Sequence, residues 1–172
     1  MYPRPVSPLQ TQNGKRDKFA AVEAEPGTYA LVLSARPNRL VRVGRLGRLR
    51  LQSGFYVYVG SAHGSGGVLA RLTHHLKAIS RPHWHIDYLR RHTSLEQVWY
   101  CYDRVRWEHV WARGFGTLPG ASVPLVGFGA SDCHCESHLF FFRSRPSRNA
   151  FVRNLLVSRQ KHPQLRVLLT KL

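Results

Sequence analysis

Residues 40–51 read Leu-Val-Arg-Val-Gly-Arg-Leu-Gly-Arg-Leu-Arg-Leu, and the apolar/arginine alternation is strict on both sides of Gly44–Gly47. Successive side chains of a strand point to opposite faces. A period of two therefore predicts a hairpin with Val41, Val43, Leu49 and Leu51 inward and Arg42, Arg48 and Arg50 on the outward face. Short β-rich runs recur at 28–33, 55–59, 97–102 and 139–142. Between them Leu69, Leu72, Leu76 and Ile79 keep helical spacing, which predicts a helix over 68–79, and shorter helices are expected over 84–91 and 108–113. The pattern is that of an α/β protein.

Charge is the second constraint. The 172 residues carry 26 Lys+Arg against 9 Asp+Glu, a formal net charge of +17. Residues 36–50 alone hold six arginines and no acid. Neutralisation of phosphates with release of their counterions rewards such a surface, so nucleic acid is the expected partner; an Arg-rich coding bias is the other source of the excess. At 43% hydrophobic residues the chain can build a core, which excludes wholesale disorder. No apolar run approaches the roughly 20 residues of a membrane span. Met1-Tyr2-Pro3-Arg4-Pro5 is followed by no hydrophobic region of the secretory kind. Three cysteines, an odd number, argue against a disulfide framework and for a reducing compartment, so a cytoplasmic location is expected. The length suits one domain. Its expected limits are 26–144, after a flexible arm (1–25) and before a basic C-terminal segment (145–172), either an amphipathic helix or a disordered tail.

Four constellations carry possible chemistry. The Gly-rich loop 60–67, between a strand and a helix, stands where backbone N–H groups can cradle a phosphate, but it lacks the P-loop and dinucleotide fingerprints and reads equally as a turn. Arg71 and His75, four apart on the next helix, share a face. Together they suit a phosphodiester, as a guanidinium fork for its oxygens and an imidazole for proton transfer, or they form a solvated basic face. His83-Trp84-His85 is suited to stacking on a base or to capping a helix. Cys133, Cys135 and His138 invite a zinc reading, although C-x-C-x-x-H is not a strong zinc pattern and a fourth ligand would have to come from Cys101, His134 or farther away.

Gly27-Thr28-Tyr29 and Tyr58-Val59-Gly60 stand on two predicted strands, Arg71 follows on a helix, and Glu108 sits on a later helix in Arg106-Trp107-Glu108-His109. This arrangement resembles the GIY-YIG nuclease superfamily. It is closer still to a branch of small bacterial and archaeal proteins catalogued as a domain of unknown function. The residues that carry that likeness are the strings 54–62, 83–89 and 127–140, and the resemblance covers about 27–143. It implies a small, mostly antiparallel sheet flanked by helices, here with the Arg-rich hairpin as an inserted element. It also implies a metal-dependent endonuclease acting on phosphodiesters, most simply in DNA and by substrate structure rather than long sequence, with a default role in repair or DNA processing. Carried over residue by residue, Tyr29 and Tyr58 become the motif tyrosines and Arg71 the helix arginine. Glu108 becomes the metal-binding glutamate for Mg²⁺, with Mn²⁺ as a substitute. His75 or His85 becomes the supporting histidine. Arg42, Arg48 and Arg50 are expected to meet the nucleic-acid backbone. Arg71 and the cation are expected to lower the tyrosine pKa towards use as a base. A non-catalytic nucleic-acid-binding module and an RNA nuclease are the alternatives.

Overall fold

The computed structural model describes residues 21–156 and 161–170. Strand β1 (Gly27–Ala35) is the spine. It pairs antiparallel with β4 (Gly54–Ala62) on one side and with β5 (Thr93–Tyr102) on the other. β6 (Leu139–Phe142) extends the sheet beyond β4 and β7 (Arg166–Leu169) beyond β5, giving the order β6-β4-β1-β5-β7, antiparallel throughout. The predicted α/β class and antiparallel sheet are thus observed. β1 is buried on both faces because both faces are covered, which is why Tyr29–Leu33 reads as a continuous apolar run.

One face packs beneath the hairpin β2 (Arg39–Val43) and β3 (Gly47–Leu51) together with helices α1 (Gly67–Leu76) and α2 (His85–Arg90). The hairpin follows its alternation: Val41, Val43, Leu49 and Leu51 are 3% exposed or less, while Arg42, Arg48 and Arg50 face solvent. The other face packs against α3 (Glu108–Gly116) and α4 (Arg148–Leu156) through Trp99, Trp111, Phe115, Phe140 and Phe151. Phe115 and Phe151 stack at 3.9 Å between centroids.

The helices predicted over 68–79 and 84–91 are shorter than their patterns, at Gly67–Leu76 and His85–Arg90. The link between them is fastened by Arg90, which donates to the Lys77 carbonyl, and by Arg91, which donates to those of Ile79 and Ser80. These two basic residues hold the chain's own backbone. No described helix is long and apolar enough to cross a membrane.

Both ends of the described chain join the body. Of the arm expected over 1–25, residues 1–20 lie outside the described residues; Val22 is buried, and the carbonyls of Glu23 and Glu25 accept from the N–H groups of Leu69 and Val68. Those bonds use the first-turn donors of α1, so its start is not a phosphate cradle. Of the segment expected over 145–172, α4 supplies Phe151 and Leu155 to the core and β7 supplies an edge of the sheet. Removing a buried aromatic from such a site costs roughly 3–5 kcal/mol. Phe151→Ala is expected to lower the unfolding free energy by about that amount in urea titrations. A loss below about 1 kcal/mol would mean that α4 is peripheral.

Candidate functional site

A cleft of about 480 Å³ opens at the end of the sheet where β1 begins and β4 ends, lined by Tyr29, Tyr58, Arg71, His85 and Glu108, among others. Short-range geometry explains how each arrives there. Tyr29 lies opposite Gly60 across the β1–β4 pair, and a Cβ at Gly60 would fall 2.5 Å from the Tyr29 ring. The missing side chain lets the ring lie against the neighbouring strand, with Tyr58 at 6.5 Å between centroids in an edge arrangement. On the opposite face, the buried hydroxyl of Thr28 accepts from the Trp107 N–H at 3.2 Å. Asp103 accepts from the N–H of Val105 at 2.9 Å and from the Trp107 indole at 3.0 Å. These bonds fix the turn after β5 and start α3 at Glu108, beside the start of β1.

Arg71 rises from α1 with its guanidinium carbon 4.5 Å from the centre of the Trp84 ring. Trp84 also packs edge-on against His74 at 4.5 Å. The N-terminus of α2 is held by Asp87, which is buried and accepts from the N–H groups of His83 and Trp84 at 3.0 Å each. Burial pushes the Asp87 pKa upward, but those two bonds and His74 outweigh it and hold the carboxyl below its usual value. The predicted stacking or capping residues His83-Trp84-His85 thus divide. Trp84 braces the arginine, and His85 enters the cleft wall.

The two candidate histidines have different places. His75 is 1% exposed and lies behind the cleft wall, where its Nε2 shares a hydrogen with the Tyr29 phenol at 2.8 Å. Burial, with Arg90 and His74 nearby, lowers its pKa to about 3, so it is a neutral positioning group for Tyr29. His85 lines the cleft, and its Nδ1 accepts from the Gly129 N–H at 3.0 Å. A neutral ring that accepts at Nδ1 carries its proton on Nε2. His85 is therefore a hydrogen-bond donor, and its lowered pKa, set by burial, keeps it so.

The phenols depart from the expectation that Arg71 lowers their pKa. Arg71 does act in that direction on both, but burial is the larger effect and pushes Tyr29 and Tyr58 above the ordinary tyrosine value. Left to the side chains alone, both are donors at neutral pH. Glu108 is 8% exposed. Its Oε1 stands 3.9 Å from Arg106 and 3.8 Å from His109 Nε2, while its buried Oε2 has no hydrogen-bond partner among the described residues. An uncompensated buried carboxylate oxygen beside an open cleft fits a hard divalent cation, which takes oxygen ligands.

Sequence reasoning brought together Tyr29, Tyr58, Arg71 and Glu108. It passed over His63 and Arg106, which complete the wall; Asp132 and His138, which the sequence offers as alternatives for lining the cleft, both stand in it. Periodicity could not find them, because they sit on turns. A larger cavity of about 730 Å³ near Leu118, Phe142 and Ala150 is lined by no acid, histidine or tyrosine. Arg42, Arg48 and Arg50 are not in the cleft wall. Their hairpin stands on the same sheet face as Tyr29 and Tyr58.

A family model described as Domain of unknown function DUF123 matches residues 28–160. The chain belongs to the DUF123 family. No curated protein and no solved structure matches it. The DUF123 match contains every named cleft residue and runs through α4.

The burial of His75 makes a prediction. As pH falls below about 6.5 the unfolded chain gains a proton here that the folded chain refuses until about pH 3, so stability is present above that window and lost through it. The contribution is up to about 1.4 kcal/mol per pH unit. Unfolding free energies measured at intervals from neutral pH to about pH 4 should fall less steeply in His75→Gln by about that slope. Parallel curves would place His75 in solvent.

Proposed function

We propose that this DUF123 protein is a divalent-metal-dependent endonuclease of the GIY-YIG type, acting on phosphodiesters in DNA. The observation behind this reading is the convergence of Tyr29, Tyr58, Arg71 and Glu108, spread over eighty residues of chain, in one cleft. Hydrolysis adds a water oxygen to phosphorus and expels the ester oxygen. It needs the water oriented and deprotonated, the phosphoryl charge neutralised, and the leaving oxygen supplied with a proton or a cation.

Arg71 meets the second need. Its fork is always charged, and the Trp84 ring restricts where it points. His85 donates from Nε2 to a phosphoryl or leaving oxygen; as a base it would have to surrender the Gly129 hydrogen bond. Tyr29 and Tyr58 donate from their phenols to orient the water or the phosphate, and His75 holds the Tyr29 oxygen in place. Glu108 would hold Mg²⁺, or Mn²⁺ in its stead, which supplies charge against the leaving oxygen and lowers the pKa of groups around it. The raised phenol pKa values are where such a charge has most to change, and a phenol ionised beside it would take the water's proton.

Binding falls to the arginine face. Arg42 stands directly opposite Arg48 across the hairpin, and like charges so placed repel. Five exposed arginines at 39, 42, 45, 48 and 50 with no acid among them suit a polyphosphate backbone. Arginines that meet phosphates carry no base-sequence information, which suits selectivity for substrate structure better than readout of a long base sequence.

The test is incubation of the protein with labelled single-stranded, duplex and branched DNA, and with RNA, in Mg²⁺ or chelator. Metal-dependent cuts are expected in DNA, falling to background in Glu108→Ala and by about 10²–10³ in Arg71→Ala. Cuts confined to RNA would make it a ribonuclease, and bound but uncut substrate would make it a binding module. Separately, alanine at Arg42, Arg48 and Arg50 together should reduce the slope of log affinity against log salt by about three, near one per phosphate contact. An unchanged slope removes the hairpin from the interface.

A further inference from the structure

Beside Glu108 lies a second cluster of ligating side chains, to which the proposed hydrolysis gives no part, although one member, His138, also lines the cleft wall. His109, beside Glu108 on α3, meets the loop that carries Cys133, Cys135 and His138. His109 Nδ1 stands 3.3 Å from Cys135 Sγ, and His138 Nε2 stands 3.5 Å from Cys133 Sγ. One ligand atom from each of the four lies within 4.8 Å of all the others.

We propose that His109 Nδ1, Cys133 Sγ, Cys135 Sγ and His138 Nε2 bind one zinc ion as a closed, structural site. Tetrahedral zinc with Zn–S near 2.3 Å and Zn–N near 2.0–2.1 Å sets its sulfur and nitrogen ligands about 3.5 Å apart. Both sulfur–nitrogen contacts fall at that spacing without rearrangement. Two thiolates and two imidazoles are a zinc set, too soft for magnesium or calcium. Four protein ligands leave no open position, so this ion is not the one Glu108 would hold. The spacing C-x-C-x-x-H is weak by itself, and it becomes a site because the fold delivers a fourth ligand. That ligand is His109, not Cys101, which is buried within the sheet core, nor the exposed His134.

The ion has a mechanical consequence. A histidine that ligates through Nδ1 carries its proton on Nε2, and His109 Nε2 is 3.8 Å from Glu108 Oε1. A closer approach of a few tenths of an ångström would make the carboxylate an outer-shell partner of the zinc ligand, a relation that orients both groups. The same ion ties the start of α3 to the loop bearing Gly129, Ser131 and Asp132, three residues of the cleft wall. Zinc here is a positioning element for Glu108, and its presence does not depend on what the cleft cleaves.

The experiment is metal analysis of the full chain, loaded with zinc under reducing conditions and desalted. One zinc per chain is expected. Replacement by cobalt should give the intense visible bands of tetrahedral coordination together with thiolate-to-cobalt charge transfer. Cys135→Ser and His109→Ala are expected to weaken zinc binding by more than about 100-fold, beyond the loss seen for outer-shell changes. His134→Ala should keep the full stoichiometry. If the ligand variants fail to fold, the cobalt spectrum of the unsubstituted chain decides. Substoichiometric zinc, a pale octahedral cobalt spectrum, or zinc retained in His109→Ala but lost in His134→Ala would each overturn the site.

Discussion

The ring of Tyr29 lies where Gly60 has no side chain, and much of the architecture follows from that contact. A Cβ at Gly60 would sit 2.5 Å from the phenol, so the pairing register of β1 and β4 and the identity of residue 60 are one constraint. A slip of one residue would turn Tyr29 to the face of α3 and α4 and bring Thr28 into the cleft. Gly27 has the same character: a Cβ there would meet the Cys101 carbonyl at 2.0 Å and Val68 at 2.8 Å, so β5 and α1 close over bare backbone. Between the two glycine contacts, Thr28 anchors the Trp107 N–H on the other face. The tripeptide Gly27-Thr28-Tyr29 thereby sets β5, α3 and the cleft at once, which gives its two motif letters a packing reason independent of any chemistry.

The cleft is built as a dry floor under a charged rim. The floor holds the Tyr29 phenol and, behind it, the neutral imidazole of His75, both kept uncharged by burial. The charges stand around it. Arg71 is braced on Trp84, Arg106 is exposed at the edge, and Glu108 is half-compensated by its neighbours. Desolvated donors held in fixed directions act more strongly on a developing charge than the same groups in water, because they need no reorganisation when the charge appears. The excess positive charge of the chain is meanwhile displayed outside, on a hairpin whose own cross-strand pair is repulsive.

What was legible in the sequence is what has a short period. The hairpin at 40–51, the strand at 139–142 and the start of α3 are local patterns, and the structure reproduces each. Sheet order is not local. Nothing along the chain says that β7 joins β5, because Arg166–Leu169 has the exposure of an edge and its partner lies more than sixty residues away. The segment after 145 looked detachable for the same reason. Its arginines are plain in the composition, while Phe151 and Leu155 matter only against Trp99, Trp111 and Phe115, residues of other elements. The spacing of Arg71 and His75 put them correctly on one side of α1, but one turn of helix separates the rim from the floor, so the first lines the cleft and the second lies behind it. That His85 stands in the cleft wall, held by the Gly129 N–H, rests on a contact across forty-four residues that no local spacing announces.

The hairpin and the cleft wall are mechanically one unit. Leu46, at the hairpin turn, packs against the backbone of Gly127, and Leu125 approaches Gly47. The loop from there to β6 is pinned by its own bonds: the Gly127 N–H donates to the Glu136 carbonyl, the His138 N–H to that of Phe128, and Ser137 bridges Leu125 and Leu139. His138 bonds onward, since its carbonyl accepts from the Val59 N–H of β4, beside Tyr58. A displacement at the arginine face therefore has a continuous path of packed and hydrogen-bonded groups to the phenols. The hairpin that separates the two tyrosine strands in sequence becomes, in the folded chain, a support for the site those strands make.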